Sequence, residues 1–305
     1  MHRNLTYLLS VAACGALLAS CGGGGTPSPT PTPTSTSTAT PTPTPSATPV
    51  NFGFTQPFSL GSGFLYISGN FTPTGGTEVF NDASRVNSGT GGVAFEVAPE
   101  KATFGYPDLS AAAEFLGTNL TGSTPQLRSY AIADRTLNLE VPFTNVLRAS
   151  YARNDNFISG TTPGVLRSNR VLLVAIPVTT TAAIASTLTY TGVPHIVGGT
   201  KGSTAPSTVS AAATTFTISA TTPTITGTIP VTEVVSGVPT VRANLAFTAT
   251  VAANNTFGGT VTDTANGFTG TFAGALAGPN REEAYLVFAA SHTDGRKYVG
   301  SVIGD

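Results

Sequence analysis

The C-terminal half of the chain alternates hydrophobic and polar positions with a period of two. In the stretch RANLAFTATV the hydrophobic side chains share one face: Leu245, Phe247, Ala249 and Val251. In GFTGTFAGAL large side chains alternate with glycines along one face: Phe268, Gly270, Phe272, Gly274 and Leu276. A period of two predicts β-strands with one buried face, and alternating large and small residues favour a strongly curved sheet.

Short turn signals separate these runs. The pairs Asn254-Asn255, Asn266-Gly267 and Asp294-Gly295 each lie between two alternating segments. Asn and Gly tolerate the positive φ angles that tight hairpin turns require. The pattern therefore predicts hairpins and a closed antiparallel sheet, so the fold class is all-β.

The first half of the chain shows the same signal less regularly. Strand-like runs read GFLYISGNFT, GGVAFEVA and RTLNLEVPF, and long polar loops separate them. The stretch DLSAAAEFLG instead predicts one short helix that ends at Gly117.

The N-terminus has the layout of an export signal. A short polar segment with one arginine is followed by an apolar run from Leu5 to Leu18 and then by small residues, an order typical of a secretory signal peptide. The run is too short to span a membrane as a helix. The residues Leu18-Ala19-Ser20-Cys21 resemble the lipobox of bacterial lipoproteins, whose cysteine receives lipid after cleavage. We expect a lipoprotein signal peptide at residues 1–20 and lipidation of Cys21, with a plain secreted protein as the alternative.

Low-complexity sequence follows the cysteine. Residues 22–49 begin with four glycines and continue with prolines that alternate with Thr and Ser. This composition favours extended polyproline-like conformers and offers no large apolar side chain for a core. At about 3.1 Å per residue the segment spans at most roughly 90 Å. We expect residues 21–49 to form a disordered tether between the lipid anchor and a folded domain.

Composition and charge exclude several classes of partner and stabilisation. The chain carries 14 basic and 15 acidic residues, and charged residues make up only 10% of it. Without clustered Lys and Arg, a nucleic-acid partner is not expected. Of the two cysteines, Cys14 lies inside the apolar run, so the folded part has no disulfide to rely on.

The C-terminal sequence resembles a known family. The stretch TGTFAGALAGPNREEAYLVFAA, residues 269–290, and the final GRKYVGSVIGD resemble the end of the barrel in the transferrin-binding-protein-B-like lipoprotein family. Upstream, VLLVAIPVTTTAAIASTLTYTG, residues 171–192, is similar to the entry strand of that barrel. The chain departs from the family pattern at Glu283-Ala284-Tyr285 and in having no tryptophan.

This resemblance implies an architecture and a location. It implies a barrel of about eight strands at residues 165–305, preceded by a β-rich, handle-like domain at residues 50–164. It also implies a lipoprotein that binds a host or environmental protein, or a small solute, at the cell surface. An aspartate after the lipidated cysteine is commonly linked to retention in the inner membrane, and Gly22 stands at that position here, so we expect lipid-anchored residence in the outer membrane. From the resemblance we expect a monomer exposed at the cell surface.

The sequence offers little reactive chemistry. His195 and His292 are expected to be loop residues, and no metal-binding spacing surrounds either one. Glu282 and Glu283 are adjacent, so on a strand they point to opposite faces and are expected to form a solvated hairpin rim. We therefore expect no metal, no cofactor and no enzymatic activity.

Binding is predicted in loops at the ends of the sheets, because a rigid sheet positions loops whose own sequence is free to vary. Three segments are candidates: Thr72–Gly92, Leu116–Arg128 and Arg148–Arg170. The third carries residue types that are enriched at contact hot spots, and we predict four ligand-binding residues in it: Arg148, Tyr151, Arg153 and Phe157. The alternative is that this segment only connects the handle to the barrel.

Three functional classes remain open at this point. The anchor, the tether and the resemblance together favour a ligand-binding surface lipoprotein. A structural envelope lipoprotein without a specific ligand is the alternative, and a surface without an apolar patch would favour it. A hydrolase acting on envelope polymers lacks a recognisable set of acid, base and nucleophile.

Overall fold

The structure is a computed structural model that describes residues 52–204, 209–220, 222–235 and 237–305. Within these ranges the predicted all-β fold is confirmed, with twenty-one strands, numbered β1–β21 in chain order, and a single 3-10 turn at Gly117–Asn119. The predicted signal peptide, the lipidation of Cys21 and the tether lie outside the described residues and stay predictions.

The N-lobe, which comprises β1–β11, contains two antiparallel sheets. The first has the order β1-β4-β5-β6, with the bounds β1 Phe58–Ser62, β4 Gly91–Val97, β5 Glu100–Gly105 and β6 Ala113–Leu116. The second has the order β3-β2-β11-β10-β9-β8-β7, with the bounds β2 Leu65–Pro73, β3 Val79–Val86, β7 Leu120–Thr124, β8 Leu127–Ile132, β9 Arg135–Glu140, β10 Val146–Ser159 and β11 Thr162–Ala175. Buried aromatic rings fill the space between the two sheets, and the stacked pair Phe104 and Tyr151, 5.2 Å apart, lies among them.

The barrel comprises β12–β21, and every strand pairing in it is antiparallel. Its bounds are β12 Leu188–Gly192, β13 His195–Thr200, β14 Val209–Ser210, β15 Thr214–Ile218, β16 Thr224–Val235, β17 Val238–Thr250, β18 Thr256–Asp263, β19 Phe268–Ala277, β20 Glu283–His292 and β21 Arg296–Gly304. The order is β12-β15-β16-β17-β18-β19-β20-β21-β13, and the short β14 pairs with β16.

One interrupted segment closes the barrel. Strands β12 and β13 follow each other along the chain, yet β12 pairs with β15 at one edge of the sheet and β13 pairs with β21 at the other. Backbone hydrogen bonds of 3.0 and 3.3 Å between Thr191 of β12 and Asp305, which follows β21, continue this pairing so that β12 and β13 together lie between β15 and β21. With β12 and β13 counted as one strand beside β15–β21, the barrel has about eight strands, as predicted.

The barrel interior is packed with the predicted side chains. Phe268, Phe272 and Leu276 all lie in the interior core, which confirms the predicted facing of β19. The small residues between large ones are sterically required, because a Cβ added at Gly227 would lie 2.5 Å from the ring of Phe247. The predicted turns are also present, with positive φ at Asn255, Gly267 and Gly295.

The second face of the seven-stranded sheet packs on the outside of the barrel. Twelve buried residues form this seam: Tyr66, Phe80, Ala83, Val146, Val171, Leu173, Ala275, Ala277, Tyr285, Val287, Val299 and Ile303. Strands β19–β21 are therefore buried on both faces. An apolar seam of this kind fixes the position of the two lobes relative to each other.

The helix predicted in DLSAAAEFLG is wrong. The stretch contains β6, where Ala113 and Phe115 are buried with a period of two and pair with β5. The helical preference of the three alanines is overridden because β6 completes the four-stranded sheet.

Strand β11 runs across the predicted domain boundary between residues 164 and 165. It pairs with β10 and β2 in the N-lobe, and the next strand, β12, belongs to the barrel. The change from one lobe to the other thus falls at residues 176–187 in the structure, while the functional division into handle and barrel domains stays a prediction. No helix among the described residues is long and apolar enough to cross a bilayer.

Candidate ligand site between the lobes

A cleft of about 600 Å³ opens between the seven-stranded sheet and the barrel. We call it the interlobe cleft. Its N-lobe wall is formed by Ser68, Asn70, Phe80, Ala133, Asp134, Thr136, Ala152, Arg153, Asn154, Arg167 and Asn169. Its barrel wall is formed by Ile196, Val197, Gly198, Val209 and Ser210.

Polar side chains on the N-lobe wall lie in two rows across adjacent strands. In the first row, Asn169 of β11 is paired with Ser68 of β2 on one side and with Ala152 of β10 on the other. In the second row, Arg167 lies between Asn154 and Asn70. Because side chains two apart on a strand share a face, both rows point away from the N-lobe core and toward the barrel.

The charges of the wall are paired within the protein. One carboxylate oxygen of Glu78 accepts hydrogen bonds from the guanidinium of Arg167 at 2.8 Å and from the amide of Asn70 at 3.0 Å. Arg153 forms an ion pair of 2.7 Å with Asp155. Among the described residues that line the cleft, both guanidinium groups therefore have a carboxylate partner.

Two amides on this wall keep their hydrogen-bonding capacity. In the part of the chain that the structure describes, neither the Asn154 nor the Asn169 side chain forms a hydrogen bond with the protein, and both are at least partly accessible to solvent. Each amide carries two donors and one acceptor oxygen. These groups are therefore available to a ligand in the cleft.

The predicted binding segment 148–170 is a hairpin of two long strands rather than a loop. Strands β10 and β11 form it, and its turn lies at Gly160, where φ is +63°. The sequence favours this hairpin because small, β-branched and aromatic residues alternate with polar ones on both strands, although its charged and polar positions suggested a loop.

The four predicted ligand-binding residues are spread over this hairpin. Arg148 forms an ion pair of 2.7 Å with Glu140, and Arg153 lies at the interlobe cleft. Tyr151 is buried in the N-lobe core, so a ligand at the surface does not reach its ring. Phe157 is partly exposed near the tip, edge-on to Phe71. Their role in binding stays a prediction, and the four do not form one site.

Apolar side chains are exposed next to the tip of the hairpin. Ile158 and Val165 are exposed on the face opposite Phe157. A cluster of this kind is more typical of a contact surface than of a purely structural spacer.

A smaller cavity of about 370 Å³ lies along the seam. There His195 Nδ1 lies 2.8 Å from the hydroxyl of Tyr66, which also lies 3.5 Å from Ser301 Oγ. Burial, together with the nearby Arg148 guanidinium, lowers the pKa of His195 to about 4. The expectation that His195 and His292 are loop residues is wrong. His195 begins β13 and joins the two lobes, and His292 is the last residue of β20.

Glu283 also joins the lobes, so the expected solvated rim is wrong for this residue. Its side chain is buried, and Oε1 accepts hydrogen bonds from the backbone N–H groups of Thr144 and Asn145, at 2.8 and 2.6 Å. The side-chain amide of Asn145 donates a third bond of 3.0 Å. Burial raises the pKa of the Glu283 carboxyl. Glu283 begins β20, and its carboxylate thus accepts the hydrogen bonds of a bend in the N-lobe.

Among the described residues no group of three or more His, Cys, Asp or Glu side chains is arranged to hold a metal ion. The polar side chains of the interlobe cleft are suited to forming hydrogen bonds with a ligand. That the protein is not an enzyme stays a prediction.

The two polar rows of the N-lobe wall were not predicted from the sequence. Asn154 and Asn169 lie inside the predicted segment, but they form one site with Ser68 only through the register of three strands. One sequence signal could have indicated these rows: polar residues occur at every second position of β10 and β11 beyond the stretch where hydrophobic residues are buried.

Comparison with known proteins gives similarities to solved structures only. No protein-family model matches the chain, and no curated protein matches it. A structure described as a surface lipoprotein is 11% identical, with a TM-score of 0.38, over 80% of this chain and 100% of that one. The isotype 1 transferrin binding protein B of serogroup B Neisseria meningitidis is 10% identical, with a TM-score of 0.34, over 82% of this chain and 78% of that one.

A third similar structure is the N-lobe domain of lactoferrin binding protein B of Moraxella bovis. It is 10% identical, with a TM-score of 0.38, over 79% of this chain and 99% of that one. These structures include surface lipoproteins of the kind that the C-terminal sequence resembles. At such identities and TM-scores the similarities assign neither a family nor a ligand to this chain.

Proposed function

We propose that this protein is a lipid-anchored binding protein of the outer cell surface, and that its ligand occupies the interlobe cleft. The N-terminal sequence supports the anchor, since Cys21 follows an apolar run and precedes a long Pro/Thr-rich tether. A tether of this length carries a folded domain away from the membrane, where it meets ligands from outside. Catalysis is no part of the proposal.

The observation that carries binding is the pair of unpaired amides on a rigid wall. Asn154 and Asn169 lie on neighbouring strands of the seven-stranded sheet, whose other positions are fixed by the buried seam. A site built on strands needs little reorganisation when the ligand enters, which lowers the cost of binding.

The alternative is a structural envelope lipoprotein without a ligand. It gives no reason for a cleft bordered by polar side chains between the lobes, or for the apolar side chains exposed near the hairpin tip. The two functions differ in whether changes in the cleft alter what the protein captures.

The test compares two double variants of the full-length protein, purified in detergent and used to capture material from culture medium and serum. Asn154→Ala with Asn169→Ala changes the interlobe cleft. Asn138→Ala with Asn156→Ala is the matched control, since both residues are exposed asparagines on the same sheet and outside the cleft. We expect the cleft variant to lose the captured material and the control to retain it. Capture that is equal for both variants, or absent for the wild type, contradicts the proposal.

A further inference from the structure

We propose that the ligand of the interlobe cleft is a neutral carbohydrate. This inference rests on the proposed function, because it names the chemical class of ligand for the same site. It follows from the types of polar group on the wall, their spacing, their charge and the strand edges that border the cleft.

The polar groups of the wall match hydroxyl groups. A hydroxyl both donates and accepts a hydrogen bond, and so does a primary amide, through different atoms. Asn154 and Asn169 thus offer donors and acceptors side by side, and the hydroxyl-bearing residues Ser68, Thr136 and Ser210 border them. A ligand rich in neighbouring hydroxyls can pair with these donors and acceptors at the same time.

The spacing of these groups suits a sugar ring. Adjacent strands lie about 4.8 Å apart, so Asn169 and Ser68 stand one strand spacing from each other. Residues two apart along a strand, such as Arg167 and Asn169, stand about 7 Å apart. These separations are comparable to those between hydroxyls on one pyranose ring and between hydroxyls on neighbouring rings.

The opposite wall is partly apolar. Val197 of the barrel lies across the cleft from the polar rows of the seven-stranded sheet, and it packs beside the seam. A sugar ring carries C–H groups on its faces and hydroxyls at its rim, so it can contact an apolar wall while its hydroxyls bond to the sheet.

Charge disfavours anionic ligands. Glu78 neutralises Arg167, and Asp155 neutralises Arg153. A phosphate or sulfate group entering the cleft would have to compete with these carboxylates for each guanidinium, whereas a neutral sugar leaves both ion pairs in place.

Two strand edges beside the cleft are unavailable to an extended peptide. A peptide that adds to a sheet needs an open row of backbone N–H and C=O groups. The edge of β3 at Phe80 is already occupied, because its N–H donates to the carbonyl of Ser203 at 2.9 Å and its carbonyl accepts from Gly202 at 2.8 Å. Strand β14 is only two residues long and pairs with β16.

The experiment uses the full-length protein in detergent and an array of neutral oligosaccharides that covers hexose and N-acetylhexosamine polymers. Calorimetry then measures the affinity for the oligosaccharide that binds best. We expect the Asn154→Ala/Asn169→Ala variant to bind about ten-fold or more weakly, since each lost hydrogen bond to a buried ligand group weakens binding. The Asn138→Ala/Asn156→Ala control is expected to stay within about two-fold of the wild type. Equal thermal midpoints show that all three proteins are folded.

Two results overturn the carbohydrate assignment. Binding of an oligosaccharide that both variants retain places the sugar elsewhere. Capture of a protein or an anionic solute that depends on the cleft, with no oligosaccharide bound, gives the cleft another class of ligand and leaves the proposed function standing. If the cleft variant changes no binding at all, the proposed function fails together with this inference.

Discussion

At the scale of single residues, Glu283 shows how one buried carboxylate holds two lobes together. Its Oε1 is the shared acceptor of two backbone N–H groups and one amide of the N-lobe. Removing the acceptor leaves the backbone N–H and the side-chain amide of buried Asn145 without this partner, and each unsatisfied buried donor costs about 1–3 kcal/mol.

We therefore expect Glu283→Ala to lower the free energy of unfolding by about 3 kcal/mol or more. Glu283→Gln keeps an acceptor oxygen at the same place and removes a charge whose burial is unfavourable, so a much smaller loss is expected. Urea denaturation of both variants checks this. Equal losses for alanine and glutamine would show that the acceptor is not what stabilises the bend.

His195 predicts a pH dependence of stability. Its pKa in the folded protein is about 4, below its ordinary value of 6.5, so the unfolded chain binds a proton more readily between these values. Stability from this residue is complete above about pH 6.5 and is lost as the pH falls toward 4, by up to about 3 kcal/mol.

Replacement of His195 by Gln removes this titration. We expect the difference in unfolding free energy between wild type and His195→Gln to shift by up to about 3 kcal/mol between pH 7 and pH 4. Denaturation at several pH values measures it, and the carboxylates common to both proteins cancel in the difference. Parallel stability curves would mean that His195 is not desolvated.

At the scale of elements, β19 tests the barrel interior. Phe272 is buried in the interior core, where it lies 5.1 Å from the ring of Phe247. Phe272→Ala is expected to cost about 3–5 kcal/mol, since it leaves a cavity in a packed core.

The control for this change is Thr269→Ala, on the exposed face of the same strand. Surface changes of this type usually alter stability by less than about 0.5 kcal/mol. Chemical denaturation compares the two variants. A cost under about 1 kcal/mol at Phe272 would mean that the strand faces the other way.

Elements were predictable from the sequence where burial follows a local period. The facing of β19 and the turns at Asn255, Gly267 and Gly295 follow from neighbouring residues alone. The strand at Ala113 was not predictable from the sequence, because its pairing with β5 outweighs the helical preference of its alanines. The β10–β11 hairpin was missed for a related reason, since its outer half is paired but not buried and its polar residues resemble those of a loop.

At the scale of the whole molecule, the predicted lipid anchor at Cys21 can be tested by one substitution. We expect Cys21→Ser to move the protein from the membrane fraction to a soluble fraction and to abolish the mass of the acyl groups. Cys14→Ser is the control, because that residue lies in the segment expected to be cleaved. Cell fractionation and mass spectrometry of the mature protein measure both effects. A Cys21→Ser protein that remains in the membrane fraction contradicts the anchor.

The arrangement of the lobes could not be predicted from the sequence. The contact between Tyr66 and His195 spans 129 residues, and that between Asn145 and Glu283 spans 138. No local period encodes such pairings, and the interlobe cleft exists only because of them. The sequence predicted that function lies near residues 148–170, but the particular side chains depend on which face of the hairpin the barrel covers.

The closure of the barrel by β13 and β21 has a consequence for synthesis. Strand β13 ends at Thr200, and its partner begins at Arg296, so about a hundred residues must follow before the two can pair. At roughly 5–20 residues per second, the delay is on the order of 5–20 s. During that interval the edge of β13 that later pairs with β21 is open to another chain, so a chaperone that shields strand edges would raise the yield of this protein.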